Sequence, residues 1–163
     1  MDSKSRFSAV VVTVSDTVAA GGRRDESGDE AERLIRTLGI DPVERLTVAD
    51  DHDQIRSVLE KLAIRRVSLV VTTGGTGFAP RDVTPEATRA VIEKEAPGLA
   101  ELMRAAGTAK NPMAALSRGV VGSHLRTLIV NLPGSTKGVT ESLEVLLPVI
   151  PHAFDLLEGR TEH

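Results

Sequence analysis

Hydrophobic positions along the chain follow two rhythms. Residues 9–14, 43–48, 67–71 and 127–130 are short runs rich in β-branched side chains. The first, third and fourth are almost continuously apolar, the pattern of strands covered on both faces. Between them the spacing lengthens to that of a helix. Ala31, Leu34, Ile35 and Leu38 share one helical face, as do Ile55, Val58, Leu59 and Leu62. Leu99, Leu102, Met103 and Ala106 form a third stripe, and Leu143, Leu146, Leu147 and Ile150 a fourth. Ser27 with Glu30, and Asp51 with Gln54, read as capping boxes, and Gly39 as a left-handed stop. Thr84-Pro85-Glu86 reads as a cap, a first-turn proline and a first-turn acid. Pro148 and Pro151 must kink or divide the last helical region.

The resulting order is β-α-β-α-β-α-α-(β)-β-α. The bracketed strand covers residues 119–123 and turns at residues 122–124 into the last long strand. Alternation of this kind predicts an α/β fold, a three-layer α/β/α sandwich with a mostly parallel sheet and one antiparallel edge strand. The 163 residues fit a single domain with a core over about residues 7–158. Residues 1–6 and 160–163 read as frayed ends.

Composition narrows the chemistry. Twenty Lys and Arg stand against 23 Asp and Glu, a formal charge of −3, with no basic run, which argues against nucleic acid as a partner. There is no Trp or Tyr and only three Phe, so base stacking on an aromatic platform has no support either. The absence of Cys excludes disulfides, thiolate catalysis, Fe–S clusters and thiolate zinc sites. His52, His124, His152 and His163 show no metal-ligand spacing. No stretch approaches a membrane span, and the polar N-terminus shows no secretory signal, so a cytoplasmic location is expected.

Polar and glycine-rich segments follow the strands. Ser15-Asp16 and residues 21–28 come after the first, Asp50-Asp51 after the second, residues 72–77 and Arg81-Asp82 after the third, and residues 131–138 after the last. In a parallel sheet these ends share one edge, where ligands bind. Thr73-Gly74-Gly75-Thr76-Gly77 places three glycines within four residues, which lets backbone N–H groups form a concave anion nest. Neither the P-loop nor the dinucleotide fingerprint is met, since Gly134-Ser135-Thr136-Lys137 has the wrong order and Gly77 is followed by Phe78-Ala79-Pro80. Asp50 and Asp82 follow different strands and suit Mg²⁺ held by carboxylates and substrate phosphates. Asp51 fits a helix cap better than Asp50 does, and Asp82 also fits a turn-and-cap role. Pro133-Gly134-Ser135 suits a second anion site at a helix start. Lys137 is either a phosphate partner or a solvated lysine, and Ser117-Arg118-Gly119 is a loop unless it folds back over the crevice.

These segments, in this order, resemble the MogA/MoaB family of molybdenum-cofactor biosynthesis, over about residues 7–158. The resemblance rests on Thr72–Gly77, on Arg81 through Ala87, on Asn131 through Ser135, and on Ser15-Asp16, residues 25–28, Asp50-Asp51 and Ser117-Arg118-Gly119. It implies binding of molybdopterin and a molybdopterin adenylyltransferase activity. In that reaction AMP passes from ATP to the terminal phosphate of the pterin with Mg²⁺, and pyrophosphate is released. It implies that Asp50 and Asp82 are the catalytic acids and hold Mg²⁺. Ser15, Asp16, Thr73, Gly74, Gly75, Thr76, Gly77, Ser117, Pro133, Gly134 and Ser135 are then substrate contacts. It implies a homotrimer, or a pair of trimers forming a hexamer, and other cofactor-biosynthesis proteins as partners. The stripe on residues 97–106 packs either against a neighbouring subunit or within its own. Ala49 departs from the family pattern, which often has proline before the first acid. A non-catalytic pterin-binding or scaffold relative of the same fold is the alternative reading.

Overall fold

The computed structural model describes residues 5–161. Six strands form one sheet: β1 (Ala9–Val14), β2 (Val43–Val48), β3 (Leu69–Thr73), β4 (Lys94–Glu95), β5 (Val121–His124) and β6 (Thr127–Leu132). Their order is β2-β1-β3-β6-β5-β4. The first four are parallel, while β5 is antiparallel to both β6 and β4. The helices are α1 (Asp16–Ala19), α2 (Glu26–Arg36), α3 (His52–Ile64), α4 (Thr84–Arg89), α5 (Pro97–Thr108), α6 (Thr136–Leu146) and α7 (Ile150–Leu157), with a 3₁₀ turn at Pro112–Leu116.

Alternate residues of the apolar strands feed opposite faces of the sheet. Val10, Val12, Val14, Val70 and Ile129 pack with Ile55, Leu59 and Leu62 of α3 and Ala87 of α4. Ala9, Val11, Leu69, Val71, Leu128 and Val130 pack under α2, α5, α6 and α7. This is the expected three-layer sandwich, and it explains why these strands carry no charged residue.

Several local expectations are corrected. The antiparallel edge is present as expected in β5, and one strand was not foreseen: two-residue β4 pairs outside β5, too short and polar to show in the hydrophobic pattern. The turn into β6 falls at Leu125-Arg126 instead of residues 122–124, with Leu125 at φ +53°, as a two-residue hairpin loop requires. Helix α2 is capped by Asp25, which accepts from Gly28 N at 3.0 Å, and not by Ser27. Asp25 is held there by Thr13 Oγ1 at 2.5 Å and Arg45 at 2.6 Å, so tertiary anchors choose the cap. Thr84 is the first residue of α4 and its hydroxyl faces inward.

Asp51 caps α3, accepting from Gln54 N at 2.9 Å; Gly39 takes φ +81° after α2; and the prolines divide α6 from α7. On α5, Met103 is buried within the chain, leaving Leu102 as the exposed member of its stripe. The fraying expected at residues 1–4 and 162–163 lies outside the described residues. Arg6 and Arg160 are tied down, to Glu158 at 2.9 Å and Asp155 at 2.5 Å. Among the described residues no helix is long and apolar enough to cross a membrane.

Candidate functional site

Because β1, β2, β3 and β6 are parallel, the loops after them gather along one edge. Asp16 and Asp50, which follow β1 and β2, lock together: Asp16 N donates to Asp50 Oδ2 and Asp50 N to Asp16 Oδ1, both at 3.0 Å. Arg81 reaches over from the loop after β3 and grips the Asp16 carboxylate at 2.6 and 3.0 Å. Those Arg81 hydrogen bonds hold the Asp16 carboxyl below its ordinary range. Asp50 is shifted the other way. Burial disfavours its charged form, and the carboxylates of Asp16 and Asp82 add repulsion. Asp82 accepts from Ala79 N at 2.9 Å, which fixes its turn.

The glycine loop lies between these acids. Gly74 and Gly75 take φ +95° and +69°, which only glycine adopts without strain. A Cβ on Gly75 would lie 2.3 Å from Thr84 Oγ1 and 3.4 Å from Asp50 Oδ1, and one on Gly77 2.9 Å from Asp82 Oδ2. Both acids therefore abut the loop. Thr84 braces it, donating Oγ1–H to Gly74 O at 3.0 Å and N–H to Gly75 O at 3.2 Å. The N–H groups of Gly75, Thr76 and Gly77 find no acceptor among the described residues, which suits an anion nest. Gly134 crosses beside Gly74, where a Cβ would stand 3.4 Å from Gly74 Cα, and Ser27 donates to Gly134 O at 2.5 Å. Ser135 caps α6, accepting from Gly138 N at 3.0 Å.

Residues 117–119 do fold back over the crevice. Arg118 N donates to Thr76 O at 2.8 Å. The Arg118 guanidinium donates to Gly77 O at 2.8 Å and Asp82 O at 3.0 Å, and pairs with Glu86. It also lies over the Phe78 ring, 5.5 Å from the centroid. One arginine thus clamps the whole loop from Gly77 to Glu86.

On the far side of the glycine loop opens a cavity of about 340 Å³, between α5, the 3₁₀ turn and the start of α6. Thr76, Gly77, Ser117, Pro133 and Ser135 line it. Asp16, Asp50, Asp82, Ser15, Gly74, Gly75 and Gly134 are not among its lining residues. Thr73 is buried at the end of β3, under the loop. The Ser15 side chain caps α1, accepting from Val18 N. The acids Asp16, Asp50 and Asp82 thus form an acidic compartment outside the deep one, and the two meet at Gly77, which lines the cavity and abuts Asp82.

No group of three or more His, Asp or Glu among the described residues forms a metal cluster. The acidic side nevertheless fits Mg²⁺ arriving with phosphates, which takes only one or two protein carboxylates. A cation there would favour the charged form of Asp50, which burial first and the Asp16 and Asp82 carboxylates second disfavour.

The family model described as a probable molybdopterin binding domain matches residues 10–152. The chain belongs to this family. Within the MogA/MoaB family, it is 41% identical over 152 residues to a Helicobacter pylori protein named molybdopterin adenylyltransferase, covering 91% of this chain and 86% of that one. The molybdopterin biosynthesis enzyme MoaB of Thermus thermophilus superposes with a TM-score of 0.86 at 48% identity, over 94% of this chain and 97% of its own. The Mog protein of Mycobacterium ulcerans superposes with a TM-score of 0.88 at 42% identity, over 93% and 99%. A role in molybdenum-cofactor biosynthesis follows from this membership.

Beyond the residues expected to be catalytic acids or substrate contacts, this MogA/MoaB chain relies on Arg81, Arg118, Thr84, Ser27 and Asn131, which the sequence had marked only as caps or motif members. Asn131 is 1% exposed and donates to Thr72 at 3.1 Å and Thr88 at 2.9 Å, while accepting from Val120 N at 3.0 Å. The Asp16–Asp50 exchange also bears on Ala49: backbone-to-carboxylate bonds hold the start of this loop in place of a proline.

Proposed function

We propose that this chain transfers the adenylyl group of ATP to the terminal phosphate of molybdopterin and releases pyrophosphate. The observation that carries the reading is the shared wall. Gly75 abuts Asp50, Gly77 abuts Asp82, Thr76 and Gly77 line a ring-sized cavity, and the N–H groups of residues 75–77 have no acceptor among the described residues. A triphosphate on the acidic side and a pterin phosphate rising from the cavity would meet at that loop.

In the reaction an oxygen of the pterin phosphate forms a bond to the α-phosphorus of ATP. The α–β bridging bond breaks, and its electron pair leaves with pyrophosphate. The attacking oxygen is already ionised, so no strong general base is needed, and a site without Cys or a paired His is no obstacle. What the chain must supply is alignment and neutralisation of repelling anions. The loop N–H groups point at phosphate oxygens, Thr84 and Arg118 keep the loop from relaxing, and Arg81 orients Asp16 against Asp50. Asp50 and Asp82 would hold Mg²⁺, which offsets charge building on the leaving pyrophosphate. As in the family it resembles, the active form is proposed to be a trimer.

Purified protein given ATP, Mg²⁺ and molybdopterin should form adenylyl-molybdopterin. Asp82→Asn should fold normally and lose roughly 10²-fold or more in turnover, the usual consequence of removing a preorganised electrostatic group. Near-normal turnover in that variant removes Asp82 from the chemistry. Tight pterin binding without turnover in the wild type replaces the enzyme by a binding protein.

A further inference from the structure

The cavity wall carries a carboxylate that the reaction above does not use. Glu141 lies on α6, on the face that also turns Gly138 and Ser142 to the cavity, at i+3 and i+4 spacing. It is the one acid among the described residues that line the cavity. Its side chain is 11% exposed, and Oε1 is buried with no hydrogen-bond donor among the described residues. Lys137, one turn earlier, brings Nζ only to 3.9 Å, beyond hydrogen-bond distance, and is itself 76% exposed. A buried charged acceptor without a donor is costly, and such a group is kept where a ligand completes it.

The rest of the wall says what kind of ligand. Ala100, Met103, Ala114 and Leu116 give the cavity apolar sides suited to the faces of a flat ring. Two polar side chains of the wall are already engaged. Arg104 donates to Gly119 O at 2.9 Å and Ser117 O at 3.3 Å, and Asn131 has donors and acceptor matched. The volume of about 340 Å³ lies in the range of small-molecule sites and admits a bicyclic ring.

We propose that Glu141 reads the ring, accepting the paired N–H groups of a 2-amino-4-oxopteridine edge with its two carboxylate oxygens. This rests on the molybdopterin reading and adds a specificity-determining residue to it. A carboxylate matches two adjacent N–H donors as it matches the fork of an arginine. A ring with oxygen in place of the 2-amino group sets an acceptor against an acceptor and is rejected, because a site built for a hydrogen bond discriminates strongly against the analogue lacking it.

The test uses two intrinsically fluorescent rings, pterin and its 2,4-dioxo analogue lumazine, titrated against the whole chain with ATP binding followed separately. The wild type should prefer pterin by at least about 10-fold, the range expected for hydrogen bonds to a charged group. Glu141→Gln should weaken pterin about 10- to 100-fold on the same scale, erase the preference, and leave ATP affinity unchanged. Glu141→Ala should lose pterin without gaining lumazine. Equal wild-type affinity for the two rings overturns the proposal even where no variant folds, as does a preference that survives in Glu141→Gln. Where these fail but adenylyl-molybdopterin still forms, the function stands and only the assignment of Glu141 falls. Binding of ATP with neither ring bound and no adenylyl-molybdopterin formed overturns both.

Discussion

Replacing Gly75 by alanine tests the loop at its most constrained point. Gly75 sits at φ +69°, and a non-glycine residue there costs about 1–2 kcal/mol in backbone strain. The new methyl would also lie 2.3 Å from Thr84 Oγ1, well inside contact. Thr84 is fully buried and its hydroxyl satisfies Gly74 O at 3.0 Å, so displacing it forfeits that bond, at about 1–3 kcal/mol. Gly39 supplies the internal standard, with φ +81° and nothing within 4 Å of where an added methyl would stand. Gly39→Ala should therefore show strain alone, about 1 kcal/mol, and Gly75→Ala about 3 kcal/mol, or roughly 2–4 °C of melting temperature per kcal/mol for a chain of this size. Urea unfolding of both variants, and of Gly75→Ala combined with Thr84→Ala, checks the steric part. Removing Oγ1 in the Gly75→Ala background should restore stability, whereas alone it should reduce it. Equal losses at positions 39 and 75, or simple additivity in the double variant, would refute the reasoning.

Asp50→Asn should be less active yet more stable. The wild-type carboxyl is raised by burial and by its acidic neighbours, so the folded state binds its proton more tightly than the unfolded chain. Stability is then lost as pH rises from the ordinary 3.8 through the raised value, and the advantage of Asn should open over that window and vanish below it. Denaturation at a series of pH values reads it, and a gain independent of pH would count against the raised Asp50 carboxyl as the cause. Arg118→Ala removes the bonds to Gly77 O, Asp82 O and Glu86, and should cost about 2–3 kcal/mol while raising hydrogen exchange over residues 75–86; unchanged exchange there would mean the clamp is not what orders the loop. Leu102→Glu should reduce the particle mass from a trimer toward one chain of 17.3 kDa by light scattering. A wild-type mass of one chain would end the trimer proposal.

Much of the fold was legible in the chain because its signals are local. The strands β1, β3 and β6 are apolar runs broken only by Thr and Asn, a pattern that demands cover on both faces, and three layers follow from it. The helices announce themselves by one-sided spacing, and α3 and α6 begin where Asp51 and Ser135 can cap them. The glycines of residues 74–77 are conspicuous because few residues tolerate positive φ, and two of them do adopt it. Tertiary structure decided whatever depends on partners distant in sequence. Asp25 displaces Ser27 as cap because Thr13 and Arg45, twelve and twenty residues away, converge on its carboxylate. The division of the candidate residues into an acidic and a deep compartment is invisible in spacing, since Asp50 and Asp82 approach the glycine loop from different strands. Arg118 clamps Gly77 across 41 residues, and Glu141 becomes a buried acceptor without a donor only once α6 packs against α5 and α2. Hydrogen bonding and desolvation act over a few ångströms in space, whereas periodicity is written along the chain; the first needs the fold to exist, and the second is what builds it.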